Sequence, residues 1–412
     1  MRICIHRGTH EIGGTCVEVE SQGKRVVLDI GLPLDADAGR VDLPHVPGFQ
    51  KPDESLLGVV ISHPHQDHYG LAGKLPAEML FLMGEAAHRI LDAALPFMPK
   101  GVAFRNVSHL HNRSTIVLGP FQLTPYLVDH SAYDSYGILV EAGGKRLFYT
   151  GDFRAHGYKG RLFDNMIESP PRGIDVLLME GTTLGRPPAD EDCQTEAQLV
   201  DKMVALIKAT PGMVLVCCSG QNIDRIVTVF KATRRARRQL IMDGYTAHIC
   251  RATGNPRIPQ SDWRGVRVFW PLNLRVRIKK MGRFYLVDDL PGRIFPEDLA
   301  GEAPRSVMLF RPSMIRDLEH AKCLNGASVI YSMWPGYLKD DGAKPFHSWL
   351  RRRGIPLHHC HTSGHASPSD LQRFAKALGP GMLVPVHSAE PQRFAEFFKN
   401  VEIKEDGHGW EV

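Results

Sequence analysis

The chain has 412 residues, 43% of them hydrophobic and 23% charged, with a formal net charge of +5. That balance supports a sizeable core and excludes intrinsic disorder as the main state. No apolar run of about 18 residues is present, which excludes a membrane-spanning helix, and the opening MRICIHRGTHEIGG lacks the apolar stretch of a secretory signal, so a cytoplasmic location is expected.

In chain order, residues 2–6, 15–19 and 25–30 predict short strands rich in Val, Ile and Cys, punctuated by Gly13, Gly14 and Gly23. Residues 57–62 (LGVVIS) form a continuous apolar run, as expected of a strand covered on both faces, and a histidine-rich loop follows at once. Further strands are expected at 79–83, 115–118, 123–128, 137–141, 146–149 and 174–179, with a helix at 84–95. The texture changes after Gly185. Residues 186–190 (RPPAD) read as a linker, and helical patterns at 194–208 and 223–237 then alternate with buried strands at 213–218 and 239–243. Such alternation predicts a parallel sheet, and it recurs through 306–310, 314–323, 327–333 and 342–352. Residues 382–386 predict one more buried strand.

Charge divides the chain as well. Residues 191–350 hold 24 Lys and Arg against 16 Asp and Glu, a net of +8. Basic runs fall at 231–238 (KATRRARR), 275–280 (RVRIKK) and 351–353, which read equally as a solvated face or as a surface for nucleic-acid phosphates. Eight cysteines include no CxxC pair, so zinc-ribbon and disulfide-scaffold readings fail and most are expected to be small buried residues. Histidine is abundant, at 20.

The strongest signal is SHPHQDHYG, residues 62–70, where three histidines and one aspartate occupy six positions. Chance predicts about 0.003 such clusters in a chain of this composition. On an extended loop, side chains two apart point the same way, so His63 and His65 can share one metal ion while Asp67 and His68 reach a second. Four ligands do not complete two sites. His130, Asp152 and His387 each follow an expected strand and are the candidates for the rest, giving five histidines and two aspartates at a dinuclear centre.

These residues resemble the metallo-β-lactamase superfamily. The resemblance implies an α/β fold, the αββα sandwich. It assigns His63, His65 and His130 to one zinc, Asp67, His68 and His387 to the other, Asp152 as the bridge, and Asp29 as support for a ligand histidine. LLMEGTT (177–183), HTSGHAS (361–367) and PVH (385–387) further resemble motifs A, B and C of the β-CASP nucleases, and SGQNIDRI (219–226) and MWPGY (333–337) resemble segments of ribonuclease J-like proteins. The sandwich is then expected over 1–188 and 352–412, interrupted by an inserted β-CASP domain at 189–351, without the C-terminal domain of ribonuclease J proteins. Motif C reads His387-Ser388-Ala389 where His-Gly-Glu is usual, and Gly181 follows the motif A acid where Ser or Thr is usual.

The implied activity is hydrolysis of single-stranded RNA, as an endonuclease, a 5′-exonuclease or both, by hydroxide at two zinc ions, with manganese as the alternative metal. Asp67, Glu180 and His365 are the catalytic candidates, with His365 as general acid held by Glu180. His361, Ser363, Ser219 and Arg225 are the candidates for substrate binding, and Trp334, Tyr337 and Phe284 could stack bases, although each reads more readily as core. The basic inserted domain is expected to close over the metal face and to favour a polyanionic strand. DNA is the alternative substrate, a small-molecule hydrolase or a non-catalytic RNA-binding subunit the remoter readings. A homo-oligomer is left open, and no membrane partner is expected.

Overall fold

Short apolar strands separated by glycine turns account for the first part of the chain in the computed structural model, which describes residues 1–34, 36–99, 101–185 and 193–412. The linker expected at 186–190 lies outside the described residues. The strands are β1 (Arg2–Arg7), β2 (Cys16–Ser21), β3 (Lys24–Leu28), β4 (Leu56–Val60), β5 (Phe81–Gly84), β6 (Val107–Leu110), β7 (Ile116–Leu118), β8 (Phe121–Val128), β9 (Ser135–Ala142), β10 (Lys145–Tyr149) and β11 (Val176–Glu180). Alternation with helices then gives β12 (Val214–Cys217), β13 (Gln239–Asp243), β14 (Val266–Phe269), β15 (Arg293–Ile294), β16 (Ser306–Phe310), β17 (Ser328–Tyr331) and β18 (Leu357–His359). The chain ends with β19 (Met382–Val386) and β20 (Gly409–Glu411).

Two compact units result, one of Met1–Asp92, Lys100–Cys193 and Gly364–Val412, the other of Ala93–Pro99 and Gln194–Ser363. The first holds two sheets, ordered β20-β1-β2-β3-β4-β5-β6 and β19-β11-β10-β9-β8-β7. Alternate residues decide their faces. Val17, Val19, Val26 and Leu28 of the first sheet share one apolar layer with Ile138, Val140, Leu147 and Leu178 of the second. Val27 points to the outer side, where Leu91 of the helix Glu85–Ala94 packs. Leu177 and Met179 face Phe163 and Phe374, from the helices Arg161–Glu168 and Pro368–Leu378. This is the αββα sandwich.

The second unit is one parallel sheet, ordered β15-β14-β13-β16-β12-β17-β18. Its helices carry local start signals. Thr195 and Gln198 form a capping box for Glu196–Ala209, and Asn222 caps Ile223–Arg235. The carboxy-terminal junction falls at Ser363/Gly364, later than the 351/352 read from sequence, because β18 pairs with β17 and draws residues 352–363 into this sheet. A three-residue strand of mixed burial has no periodicity to betray it. Seven of the eight cysteines are buried.

On the β1–β3 part of the first sheet, Glu18 accepts from Arg25 Nη1 at 3.2 Å and lies 3.6 Å from His6 Nε2, while Cys4 Sγ is 3.9 Å from His6 Nδ1. Burial opposes charge on His6, but Cys4 and Glu18 outweigh it and push the pKa up to about 9. A raised pKa adds stability that is complete below the unfolded value of about 6.5 and is lost as pH rises through 9. His6→Gln should therefore destabilise the chain most at pH 6 and converge on the wild type above pH 9 in denaturant melts. A gap that does not vary with pH would refute a charged His6.

Candidate metal centre

The metal-type residues arrive at strand ends on the seam between the two sheets. The loop after β4 carries His63, His65, Asp67 and His68; His130 follows β8, Asp152 follows β10 and His387 follows β19. The backbone fixes the first loop closely. Ile30 N donates to His68 O at 2.9 Å and Leu32 N to Gln66 O at 3.0 Å. Gly31 lies between these two bonds, and a Cβ there would overlap the Asp67 carbonyl.

Two donor groups form. His63, His65 and His130 offer nitrogen atoms that could hold one ion, and Asp67, His68, Asp152 and His387 could hold another. His130 Nε2 lies 3.2 Å from His65 Nδ1, close to the separation of about 3.3 Å expected for neighbouring ligands at tetrahedral zinc distances. Asp152 Oδ2 lies between the groups, 3.6 Å from His63 Nε2, 3.2 Å from His68 Nε2 and 3.8 Å from His387 Nε2.

Four of the five imidazoles have a polar partner behind them. His130 Nδ1 donates to Gly364 O at 2.6 Å, and Ser62 Oγ lies 3.0 Å from His63 Nδ1. Thr15 Oγ1 sits 2.9 Å from His387 Nδ1. Asp29 does most. Its carboxylate takes Ser62 N at 2.7 Å, Ser62 Oγ at 2.8 Å, Tyr149 Oη at 2.6 Å and His68 Nδ1 at 2.8 Å. For His63, His68 and His130 such partners set the tautomer that leaves Nε2 available to a metal, whereas His387 Nδ1 also accepts from Gly13 N at 3.3 Å.

The chemistry of the donor set fits a divalent cation. His63 Nε2, His68 Nε2, His387 Nε2 and both Asp152 oxygens are buried without a hydrogen-bond partner among the described residues. Each such atom ordinarily costs about 1–3 kcal/mol, so their convergence calls for a ligand. Burial, reinforced by neighbouring imidazoles, drives His63 and His130 well below the usual histidine range, and burial lowers His65 and His387, which favours neutral rings. Burial opposes ionisation of Asp152, but His387, His68 and His365 hold its carboxyl well below the usual range. His68 moves the other way. Burial opposes its charge, yet Asp152, Asp29 and Asp67 together draw positive charge to it, as they would to a cation.

Beside these groups, His365 Nδ1 approaches Glu180 Oε2 at 3.0 Å. Glu180, at the end of β11, also accepts from Phe153 N at 2.9 Å and is fully buried. His365 additionally falls within metal-sharing reach of His130 and Asp152.

The four substrate-binding candidates all belong to the second unit. Arg225 is wholly buried and donates to Glu196 Oε2 and Oε1 at 3.1 Å each, to Ser332 O at 2.9 Å and to Thr362 O at 3.2 Å. It also stands 3.3 Å from His361 Nδ1. Burial and the Arg225 charge push His361 down to about 3, so it accepts from Arg225 as a neutral ring. Ser219 is exposed, and its hydroxyl accepts from Gln221 N at 3.2 Å; Ser363 is half-buried. Phe284, Trp334 and Tyr337 are exposed, contrary to the core placement favoured from sequence. Sequence reasoning also missed Thr15, Tyr149 and the Gly364 carbonyl, which serve the centre only through distant pairing, and the role of Ser62, although it stands next to His63 in the histidine-rich segment.

Residues 27–216 match the model of the beta-lactamase superfamily domain, a similarity in keeping with the paired sheets. Curated relatives named ribonuclease J are similar over much of the chain. The protein of Mycobacterium tuberculosis is 24% identical over 64% of this chain, which spans about half (48%) of that relative. Ribonuclease J of Mycoplasma genitalium is 22% identical over 94% of this chain and 67% of its own length, and ribonuclease J 2 of Streptococcus pyogenes is 22% identical over 92% and 68%. A crystal structure of a protein of unknown function from Enterococcus faecalis shares the fold, with a TM-score of 0.78, 20% identity and 99% coverage of both chains. No helix among the described residues is long and apolar enough to cross a membrane.

Proposed function

We propose that this chain is a metal-dependent ribonuclease of the β-CASP type, hydrolysing phosphodiester bonds of single-stranded RNA. The observation that carries the reading is the pairing of two adjoining donor groups, Asp152 of the second lying 3.6 Å from His63 of the first, with a histidine, His365, held by a buried glutamate beside them. The similarity to proteins named ribonuclease J supports RNA as the substrate, and such a substrate fits a cytoplasmic site of action. The second unit is then the inserted β-CASP domain.

His63, His65 and His130 would hold one ion and Asp67, His68 and His387 the other, with Asp152 between them; the nitrogen and oxygen donors suit zinc, and manganese is the alternative. Ions bound there supply Lewis acidity towards phosphoryl oxygen and activate water near neutral pH. The chain itself does the rest. Asp29, Ser62 and the Gly364 carbonyl keep the rings of His68, His63 and His130 in the ligating tautomer. Glu180 accepts the Nδ1 proton of His365, so a second proton resides on Nε2, and the carboxylate stabilises the imidazolium. That Nε2 proton passes to the departing 3′ oxygen of the ribose, a poor leaving group without it. Arg225 acts as a positioning residue, holding His361 and the Thr362 carbonyl, and the Ser219 and Ser363 hydroxyls are the candidates to meet the nucleotide.

The test is cleavage of a 5′-labelled single-stranded RNA and its matched DNA by the purified chain, with and without chelator. Metal-dependent cutting of RNA is expected. Cutting of DNA alone would move the substrate to repair or defence, and cutting of neither strand would defeat the nuclease reading.

A further inference from the structure

Three basic runs mark the second unit, and their cations are used differently. In the first, Arg235 pairs with Asp201 at 2.7 Å, Arg234 donates to Arg264 O at 3.4 Å, and Arg238 donates to Gly212 O at 2.6 Å and to Thr210 O. In the third, Arg353 pairs with Glu319, while Arg351 and Arg352 are exposed, as is Arg237 of the first. The second run lies on the helix Leu272–Met281 and is spent in only one place: Arg277 donates to Pro96 O at 2.6 Å and to Met98 O at 2.7 Å.

The remaining cations of this run border one exposed strip. At 100° per residue, Leu274, Ile278 and Met281 define the inward face, and Ile278 alone is fully buried. Leu272 and Val276 point outward, with Arg275 and Lys279, one turn apart, on one flank and Lys280 on the other. All three cations are exposed, as is Arg283 just past the helix, and none of the four makes an ion pair among the described residues. The chain then turns at Gly282, φ 66°, and presents Phe284 and Tyr285, which are 57% and 54% exposed. Two adjacent rings exposed beside four cations with no ion pair form a patch suited to an interaction.

We infer that this face, Arg275, Lys279, Lys280 and Arg283 with Phe284 and Tyr285, is a binding surface for single-stranded nucleic acid, separate from the metal-binding residues. The inference rests on the ribonuclease reading for the choice of RNA. Cations spaced about 6 Å along the helix meet backbone phosphates, and the two rings offer stacking platforms to bases of any identity. An anionic membrane would be served less well. Only Leu272 and Val276 are apolar on the exposed face, and cations flank them on both sides, so no continuous apolar stripe is available to acyl chains.

The test measures binding of a fluorescent 30-nucleotide oligouridylate to the full chain in chelator, by anisotropy across a salt series. Two variants are compared with wild type: the joint Arg275→Gln, Lys279→Gln, Lys280→Gln, Arg283→Gln change, and Phe284→Ala with Tyr285→Ala. The side chains are exposed, and a thermal melt checks that both variants fold. The charge variant should bind at least about ten-fold more weakly, with a log–log salt slope reduced by roughly 2 to 3, at about 0.7 per phosphate lost. The ring variant should lose about five-fold or more with its slope unchanged. Equal affinity and slope in all three proteins would overturn the surface, and so would loss of binding to phosphatidylserine vesicles with RNA affinity intact. Metal-dependent cleavage of a tetranucleotide by wild type and by both variants, run in parallel, reports on the ribonuclease reading separately, since it reads turnover at the metal centre and not affinity for this face.

Discussion

Asp152→Ala should remove at least one metal ion per chain and lower RNA cleavage by three or more orders of magnitude, about 4 kcal/mol of barrier. The expectation comes from the position of one oxygen. Asp152 Oδ2 approaches His63, His68 and His387, which belong to both donor groups, so its loss disturbs both at once. No second carboxylate replaces it, because Asp67 reaches only His68 and His387, at 3.9 and 3.7 Å. Metal content by elemental analysis and the melting temperature with and without added zinc give readouts independent of turnover. Wild type should be stabilised by the metal, since a ligand that binds only the native state raises its stability, and the variant should respond much less. A variant that keeps its metal and its activity would remove Asp152 from the centre.

His365→Ala should behave differently. Metal content should stay unchanged while kcat falls by about 10²–10⁴, the usual span for a lost general acid. Because the role concerns the leaving group, the loss should shrink on a p-nitrophenyl ester of uridine monophosphate, whose departing phenolate needs no proton. Glu180→Gln should reproduce part of the defect in kcat with little change in KM, since the carboxylate acts through the ring it touches at 3.0 Å. Its bonds from Phe153 N and Thr182 N lie deep in the sandwich, so the variant needs a stability check. Equal losses on both substrates, or loss of metal from His365→Ala, would instead make His365 a ligand, a role its distance to His130 and Asp152 permits.

Much of the sandwich could be read from sequence because its strands are short, apolar and bounded by glycines, and because each candidate for the centre directly follows one of them. The HxHxDH loop is local, and a local cluster carries its own signal. What could not be read depends on pairing across long separations. Thr15, just before β2, reaches His387, just after β19, only because these two strands lie in different sheets whose ends meet. Tyr149 reads as an ordinary strand residue, yet its hydroxyl donates to Asp29. The basic runs show the same limit from another side. Composition gives KATRRARR and RVRIKK equal weight, and only the folded chain shows that carbonyls and Asp201 use the first while most of the second stays in solvent. Exposure of Phe284, Trp334 and Tyr337 was equally hidden, since an aromatic residue beside apolar neighbours reads as core.

The centre draws its donors from widely separated stretches of chain, and this sets a timetable for biosynthesis. His63, His65 and His130 have all been made once the first third of the polypeptide has left the ribosome, but the Gly364 carbonyl that orients His130 has not. The second group waits for His387, after the whole second unit has been made, and the Glu180–His365 pair is finished only shortly before it. Competence arrives late in translation, when β19 slots in beside β11 and closes the sheet.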